Sequence, residues 1–341
     1  LRLPVDRKTR AAALSVASNS LLIVLKVIVG LLIGSVAVIS EAIHSGMDLL
    51  AALIAFFAVR ASGKEADARH PFGHGKFENM SGTIEALLIF AAAVWIIYEA
   101  ARKLLDPQEI DMPFWGAGVM LVSALVNIFV SRHLFKVGKE TDSVALRADA
   151  WHLRTDVYTS AGVMVGLLII WLVGLAWPGL DLRWLDPVVA ILVALMILRT
   201  AWNLTRESTQ DLLDVSLPEE DIDWIPGFVA QRWPDVRSLH HLRTRKAGPN
   251  RFLDLHLVVD DQMKVGEAHA LGDEIVAAIK EQLPEARVQV HLEPCDYGCA
   301  DACLSGCMVD PALREAGRAE RTERGGRSVQ RPTEDRRTNP N

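Results

Sequence analysis

The chain has 341 residues, half of them apolar, with a mean hydropathy of +0.21 and a formal net charge of −6. That size and apolar content suit a membrane bundle with one small appended domain rather than a single water-soluble unit, and no nucleic-acid partner is expected. All four cysteines fall between positions 295 and 307, so nothing suggests a disulfide scaffold.

Leu1–Arg10 is basic, but the apolar run behind it is too long for the core of a cleaved signal, so residues 1–10 read as a short N-terminal segment. Six apolar runs of bilayer length follow, near Ala11–Ile33, Val36–Val59, Thr83–Leu105, Phe114–Phe135, Val144–Leu175 and Pro187–Leu204. They define a membrane domain over residues 11–208. Only Gly34 and Ser35 separate the first two, which forces a tight helical hairpin. The fifth exceeds what a bilayer needs, so it tilts or runs past the surface. Basic residues alternate across the connections. Arg2, Arg7, Lys8 and Arg10 precede the first run, Lys64, Arg69 and Lys76 follow the second, and Arg132, Lys136 and Lys139 follow the fourth. The third connection holds Asp106, Glu109 and Asp111 with no base, and the fifth holds Arg183 alone. The positive-inside rule then places both termini in the cytoplasm of a multi-pass plasma (inner) membrane protein.

Two of the runs carry the same polar pair. His44 and Asp48 lie four residues apart in the second, and His152 and Asp156 repeat the spacing in the fifth. Four residues of α-helix turn about 400° and climb about 6 Å, so each pair projects from one helix face. Facing helices would bring two imidazoles and two carboxylates together, a donor set suited to four-coordinate Zn²⁺. An Asp at mid-membrane costs about 2.5–3.5 kcal/mol, so two cost about 5–7. Structural zinc sites bind with about 10–16 kcal/mol, which covers that cost with surplus. The bland alternative is a set of polar residues that merely pack helices together.

Between the second and third runs, Asp67, His70 and His74 fall within eight residues, bent by Pro71, Gly73 and Gly75. Such a loop can wrap one metal ion, or can simply be a solvated polar turn. From Gln210 the composition turns soluble, and residues 209–294 read as a cytoplasmic domain. Glu219–Trp233 and Val265–Leu283 read as helices, and Val236–Lys246, Arg251–Asp260 and Arg287–Leu292 as strands. The order αββαβ suits a two-layer α+β domain. Leu253, Leu255, Leu257 and Val259 alternate with Asp254, His256 and Val258, so His256 faces away from the leucines. His240, His256 and His291 fall on or beside three strands, with His269 on a helix and Glu293 two residues past His291, a grouping that argues for metal. Residues 295–341 form a cysteine-containing tail without expected order beyond Glu315. Cys295, Cys299, Cys303 and Cys307 recur every four residues, which on one helix would make a thiol row able to take a soft cation.

These residues together resemble the cation diffusion facilitators, also called zinc transporters, and most of all their bacterial homodimeric branch with a cytoplasmic metal-binding domain. The resemblance covers about residues 10–295. It rests on Asn19, Lys26, Gly30, Gly34 and Ser35, the two His/Asp pairs, the Asp67/His70/His74 loop with its Phe72-Gly73-His74-Gly75-Lys76, and His241-Leu242-Arg243-Thr244-Arg245. It implies six transmembrane helices and a cytoplasmic αββαβ domain of ferredoxin-like or metallochaperone-like type. It implies a homodimer in the lipid bilayer that exports divalent metal in exchange for protons, without enzymatic activity or an organic cofactor, Zn²⁺ being both substrate and regulatory ligand. By position, His44, Asp48, His152 and Asp156 would form the transport site, and Asp67, His70 and His74 a loop site. His240, His256, His291 and Glu293 would hold a binuclear cytoplasmic site with help from His269, and Lys76 and Asp214 a charge pair that locks the dimer. The family commonly has Asp where this chain has Glu293. Some relatives have Asp in place of His44; the nitrogen donor here favours zinc over cadmium, manganese or iron, with cobalt and ferrous iron as alternatives. Rivals of another class are a membrane metal receptor that does not transport, and a zinc hydrolase, for which no HExxH motif occurs.

Overall fold

A computed structural model describes residues 4–33, 36–105, 114–176 and 184–323. Gly34 and Ser35, the acidic connection from Asp106 to Asp111, Arg2, Arg183 and the chain beyond Glu323 lie outside the described residues, as does the side chain of His44. Six long helices come first: α1 (Pro4–Ile33), α2 (Val36–Ser62), α3 (Lys76–Leu105), α4 (Phe114–Glu140), α5 (Val144–Ala176) and α6 (Leu185–Leu212). Among the described residues, five stretches are long and apolar enough to cross a bilayer: Arg7–Leu32, Ser45–Ser62, Lys76–Leu105, Leu121–Glu140 and Pro187–Leu212. The sixth helix, α5, has 33 residues, or about 50 Å of length against a hydrocarbon layer of about 30 Å.

Small residues decide how these helices meet. Ala51, Ala52, Ala55, Ala86, Ala93, Ala148, Ala194 and Ala201 are fully buried, whereas Phe57, Trp95, Phe129 and Trp202 point outward. Lipid tails are as apolar as leucine, so association rests on close packing, which small residues permit. The main pairings are α3 with α6, α1 with α2 and α4 with α5. At Gly82 a Cβ would lie 2.8 Å from Val144 Cγ1 and 2.9 Å from Ser208 Oγ, so only glycine lets α3 approach both neighbours.

α3 begins at Lys76, where the hydropathy pattern starts the third run only at Thr83. The added turns carry buried polar groups that an apolar count cannot register. Glu78 is fully buried and accepts hydrogen bonds from Lys8 Nζ (3.1 Å), Ser62 Oγ (2.6 Å) and Ser143 Oγ, tying α1, α2 and the α4–α5 turn to α3.

The described residues divide into two compact units, one running to Val215 and including the turn Lys246–Asn250, the other holding Ser216–Arg245 and the chain from Arg251. The second unit opens with α7 (Glu219–Ile222) and α8 (Trp224–Arg232). One helix over 219–233 is the sequence expectation; Pro226 breaks it, since it cannot donate to the Ile222 carbonyl four residues back. Strands β1 (Ser238–Ala247), β2 (Asn250–Asp260) and β3 (Ala286–Cys295) form a sheet in that order. β2 and β3 run parallel, and the crossover between them is α9 (Val265–Gln282). Leu253, Leu255 and Leu257 face the core with Ile225, Ile275 and Ile279.

The tail departs from expectation. Helices α10 (Asp301–Ser305) and α11 (Pro311–Glu323) follow β3, and α11 continues past Glu315. Its start has a local cause: Pro311 occupies the first helical position, and Asp310 Oδ1 accepts the Ala312 N–H at 2.8 Å. Nor do the cysteines share one helix. Cys295 closes β3, Cys299 lies in the loop, Cys303 sits in α10 and Cys307 bridges to Ser238.

Candidate metal centres

Among the described residues, three clusters bring metal-ligating atoms within 4.8 Å of one another, and all three coincide with positions singled out in the sequence. The first lies between the long helices. α2 supplies Asp48 and α5 supplies His152 and Asp156, one helical turn apart. His152 Nε2 stands 3.2 Å from Asp48 Oδ1, and both side chains are about nine-tenths buried. His44 precedes Asp48 by one turn on the same helix. The cluster opens on a cavity of about 530 Å³ whose wall includes Asn19, Lys26, Ser45, Ser123, Asn127 and Thr155. Lys26 Nζ donates to Ser45 Oγ at 2.6 Å. Two carboxyls that the sequence reading passed over, Glu85 on α3 and Asp149 on α5, are also fully buried and act electrostatically on His152. Their signal was there: an ionisable residue inside an apolar run marks function by default.

The second cluster is the loop between α2 and α3. The Arg69 and His70 backbone N–H groups each donate to Asp67 Oδ1 at 2.8 Å, and the His70 amide is the main reason its carboxyl is held below the usual carboxylate range. His70 Nδ1 lies 3.5 Å from Asp67 Oδ1, and His74 Nε2 3.3 Å from Asp67 Oδ2. The two imidazoles stand 4.3 Å apart by ring centre, and Gly73 takes the left-handed φ of 88° that the fold-back requires. Asp67 and His70 are exposed, His74 is buried.

The third cluster crosses the sheet. His240 of β1, His256 of β2 and Glu293 of β3 converge, with Glu293 Oε1 3.1 Å from His256 Nδ1 and Glu293 Oε2 3.5 Å from His240 Nε2. β3 lies in register with His256 opposite His291 and Val258 opposite Glu293, so His291 and Glu293 share the face of His256. His291 stands with its ring 4.7 Å from that of His256 and its Nε2 3.8 Å from Glu293. His241 was not anticipated. Its φ of 50° breaks the strand alternation, and its ring comes to 5.0 Å from those of both His240 and His256. His269 does not join; it pairs with Asp273 one turn further along α9 at 3.4 Å. Lys76 and Asp214 do meet, at 2.9 Å, both substantially exposed.

Residues 12–213 match the family described as cation efflux transmembrane domain, and residues 217–295 match the cation efflux protein cytoplasmic domain. The uncharacterized transporter sll1263 of Synechocystis sp. is 38% identical over 262 residues, covering 76% of this chain and 82% of the relative. The cation-efflux pump FieF of Pectobacterium atrosepticum is 32% identical over 286 residues, 84% of this chain and 92% of its own length. FieF of Yersinia pestis is 34% identical over 290 residues, 85% and 94% respectively. A solved structure of CzrB in its Zn form is 39% identical but covers 24% of this chain and 92% of its own, with a TM-score of 0.23.

Proposed function

Because this chain belongs to the cation efflux family, a family of membrane transporters of divalent metal, we propose that it exports Zn²⁺ from the cytoplasm in exchange for protons. The observation that carries this reading is the buried meeting of Asp48 of α2 with His152 and Asp156 of α5 on a cavity lined by helices α1 to α5. With His44 one turn before Asp48, two neutral imidazoles and two carboxylates would cancel the charge of one dication. The helices then rock to open the site to the far side. There protons compete for the same ligands, since imidazole titrates near 6.5 and a desolvated carboxylate shifts upward. Metal leaves, protons return, and metal affinity is coupled to pH without a separate proton path.

Nitrogen at position 44 supports zinc over cadmium, manganese and ferrous iron. Transport by His44→Asp should show altered Zn/Cd discrimination, and unchanged discrimination removes that argument. The chain would work as a homodimer in the plasma membrane with both termini cytoplasmic. The loop trio and the three-strand cluster would bind regulatory Zn²⁺. Metal on the sheet would draw two cytoplasmic domains together and bias the membrane helices, His269 serving only if a second copy approaches it. Removing residues 210–341 should then weaken activation by cytosolic zinc more than it weakens the membrane site.

A receptor that binds but does not transport is the competing reading, and a hydrolase would need an open coordination position beside a general base. Zinc flux in sealed proteoliposomes separates them. Acidifying the far compartment should accelerate uptake; binding without flux would favour a receptor, and flux indifferent to pH would remove the exchange.

A further inference from the structure

We propose that Cys295, Cys299, Cys303 and Cys307 form a further metal site, a tetrathiolate for a thiophilic divalent cation such as Zn²⁺, built between the sheet and the tail. The four thiols are free, are separated along the chain by a strand end, a loop, a helix and a bridge, and yet all line one cavity of about 220 Å³. Coincidence of a four-residue repeat does not explain that, because no single helix holds them. All four residues line the cavity, but their sulfurs do not make the mutual approach of the three clusters above. Closing on an ion at about 2.3 Å per Zn–S bond therefore requires the intervening loop to draw in.

The frame for such closure is already stitched. Cys307 bridges Ser238, the Met308 N–H donates to the Arg237 carbonyl at 2.8 Å, the Leu239 N–H donates to the Gly306 carbonyl at 3.2 Å, and Ser238 Oγ donates to the Cys303 carbonyl at 3.0 Å. A Cβ at Gly306 would sit 1.8 Å from the Leu239 carbonyl oxygen, so this approach depends on glycine. On the other side, Cys295 is fixed by β3 and follows His291 and Glu293 on one strand face, so the thiol cavity continues the imidazole row and shares Glu293 as a wall. The loop between them stores strain: Tyr297 and Cys299 adopt left-handed φ of 54° and 47°. α11 shuts the cavity, with Gly317 so close to the Tyr297 ring that a Cβ would meet it at 2.4 Å.

Charge points the same way. Binding replaces four S–H protons, which pass to solvent, by one dication, leaving a complex of net charge −2. Arg237, Arg314 and Arg321 line the cavity, Arg237 paired with Asp260 at 3.2 Å and Arg321 with Asp296 at 3.4 Å, so guanidinium groups already held in place flank the position of that anion. A disulfide would use only two thiols at a time, and a reducing cytoplasm opposes it.

The test uses the full chain, reduced, in detergent, with Co²⁺ and Zn²⁺ as probes. Cobalt should give a sulfur-to-metal charge-transfer absorption, which oxygen and nitrogen sites do not produce, and Cys303→Ser/Cys307→Ser should abolish it. In the unaltered protein, Zn²⁺ at 100 times its Kd should slow alkylation of the four thiols about 100-fold. No charge-transfer absorption, an undiminished one in the double variant, or alkylation indifferent to zinc would overturn the proposal. None of these outcomes bears on zinc flux, so failure here is distinct from failure of the transport reading.

Discussion

Asp156→Asn keeps the shape of the side chain and removes one formal charge from the cluster between α2 and α5. The two expected effects have opposite signs. Without metal, the carboxylate is a liability inside a bilayer, and replacing it should stabilise the protein by up to about 2.5–3.5 kcal/mol. With metal, the lost ligand should be felt almost unscreened, because its partners Asp48 and His152 are about nine-tenths buried. Partners one shell further from a metal already cost about 10–100-fold in affinity when removed, so a direct ligand should cost at least about 100-fold, or about 2.7 kcal/mol. The assay is chelator competition on the full chain with His70→Ala, His256→Ala and Cys303→Ser/Cys307→Ser to weaken the other two clusters and the thiol site, paired with thermal unfolding at zero and saturating zinc. The variant should melt higher than its parent without zinc and lose most of its zinc-dependent shift. Affinity within about twofold of the parent, or a lower melting point without metal, would mean that Asp156 packs helices and does not grip cargo.

Gly82→Leu should force α3 from Val144 and Ser208 and cost about 1–3 kcal/mol or more, read as a lower melting temperature. Gly46→Ala, where a Cβ meets nothing within 4 Å, is the control and should leave unfolding nearly unchanged. Lys76→Ala should change stability by less than about 1 kcal/mol in denaturant unfolding, since an exposed pair is worth little; a larger loss would show that the pair acts as a lock. Burial pushes the Cys303 thiol above its ordinary range. The neutral thiol is thus the form the fold favours, and its contribution is present below the unfolded pKa and lost as pH rises through the folded one. Without metal, alkylation of Cys303 near pH 8 should run slower than in the unfolded chain, measured by peptide mass spectrometry.

Much of this was legible in the sequence because membrane burial makes polar residues costly. Two His/Asp pairs in apolar runs fix helix faces by spacing alone, and the cluster of Asp48, His152 and Asp156 follows from that. Strand alternation likewise put His256 opposite the leucines. What escaped depends on backbone detail or on distant packing. His241 joins the sheet cluster through a left-handed φ that no alternation rule foresees. Glu78 sits at the start of α3 among polar neighbours that hide its role, and its burial comes from other helices. The helix from Pro311 was announced by Asp310-Pro311, but a charged composition outweighed that local cue. The thiols show the limit of periodicity most plainly. Their spacing suggests one helix face, and the chain instead folds them around a cavity from four different local structures.

The most direct measurement is anomalous scattering at the zinc edge from crystals of the full chain grown with zinc. The account expects a peak between α2 and α5, within coordination distance of Asp48, His152 and Asp156 and beside His44. It also expects that peak to vanish in Asp156→Asn while the loop and sheet peaks persist. Zinc confined to the loop, the sheet or the thiols, with nothing between α2 and α5 at saturating metal, would contradict it.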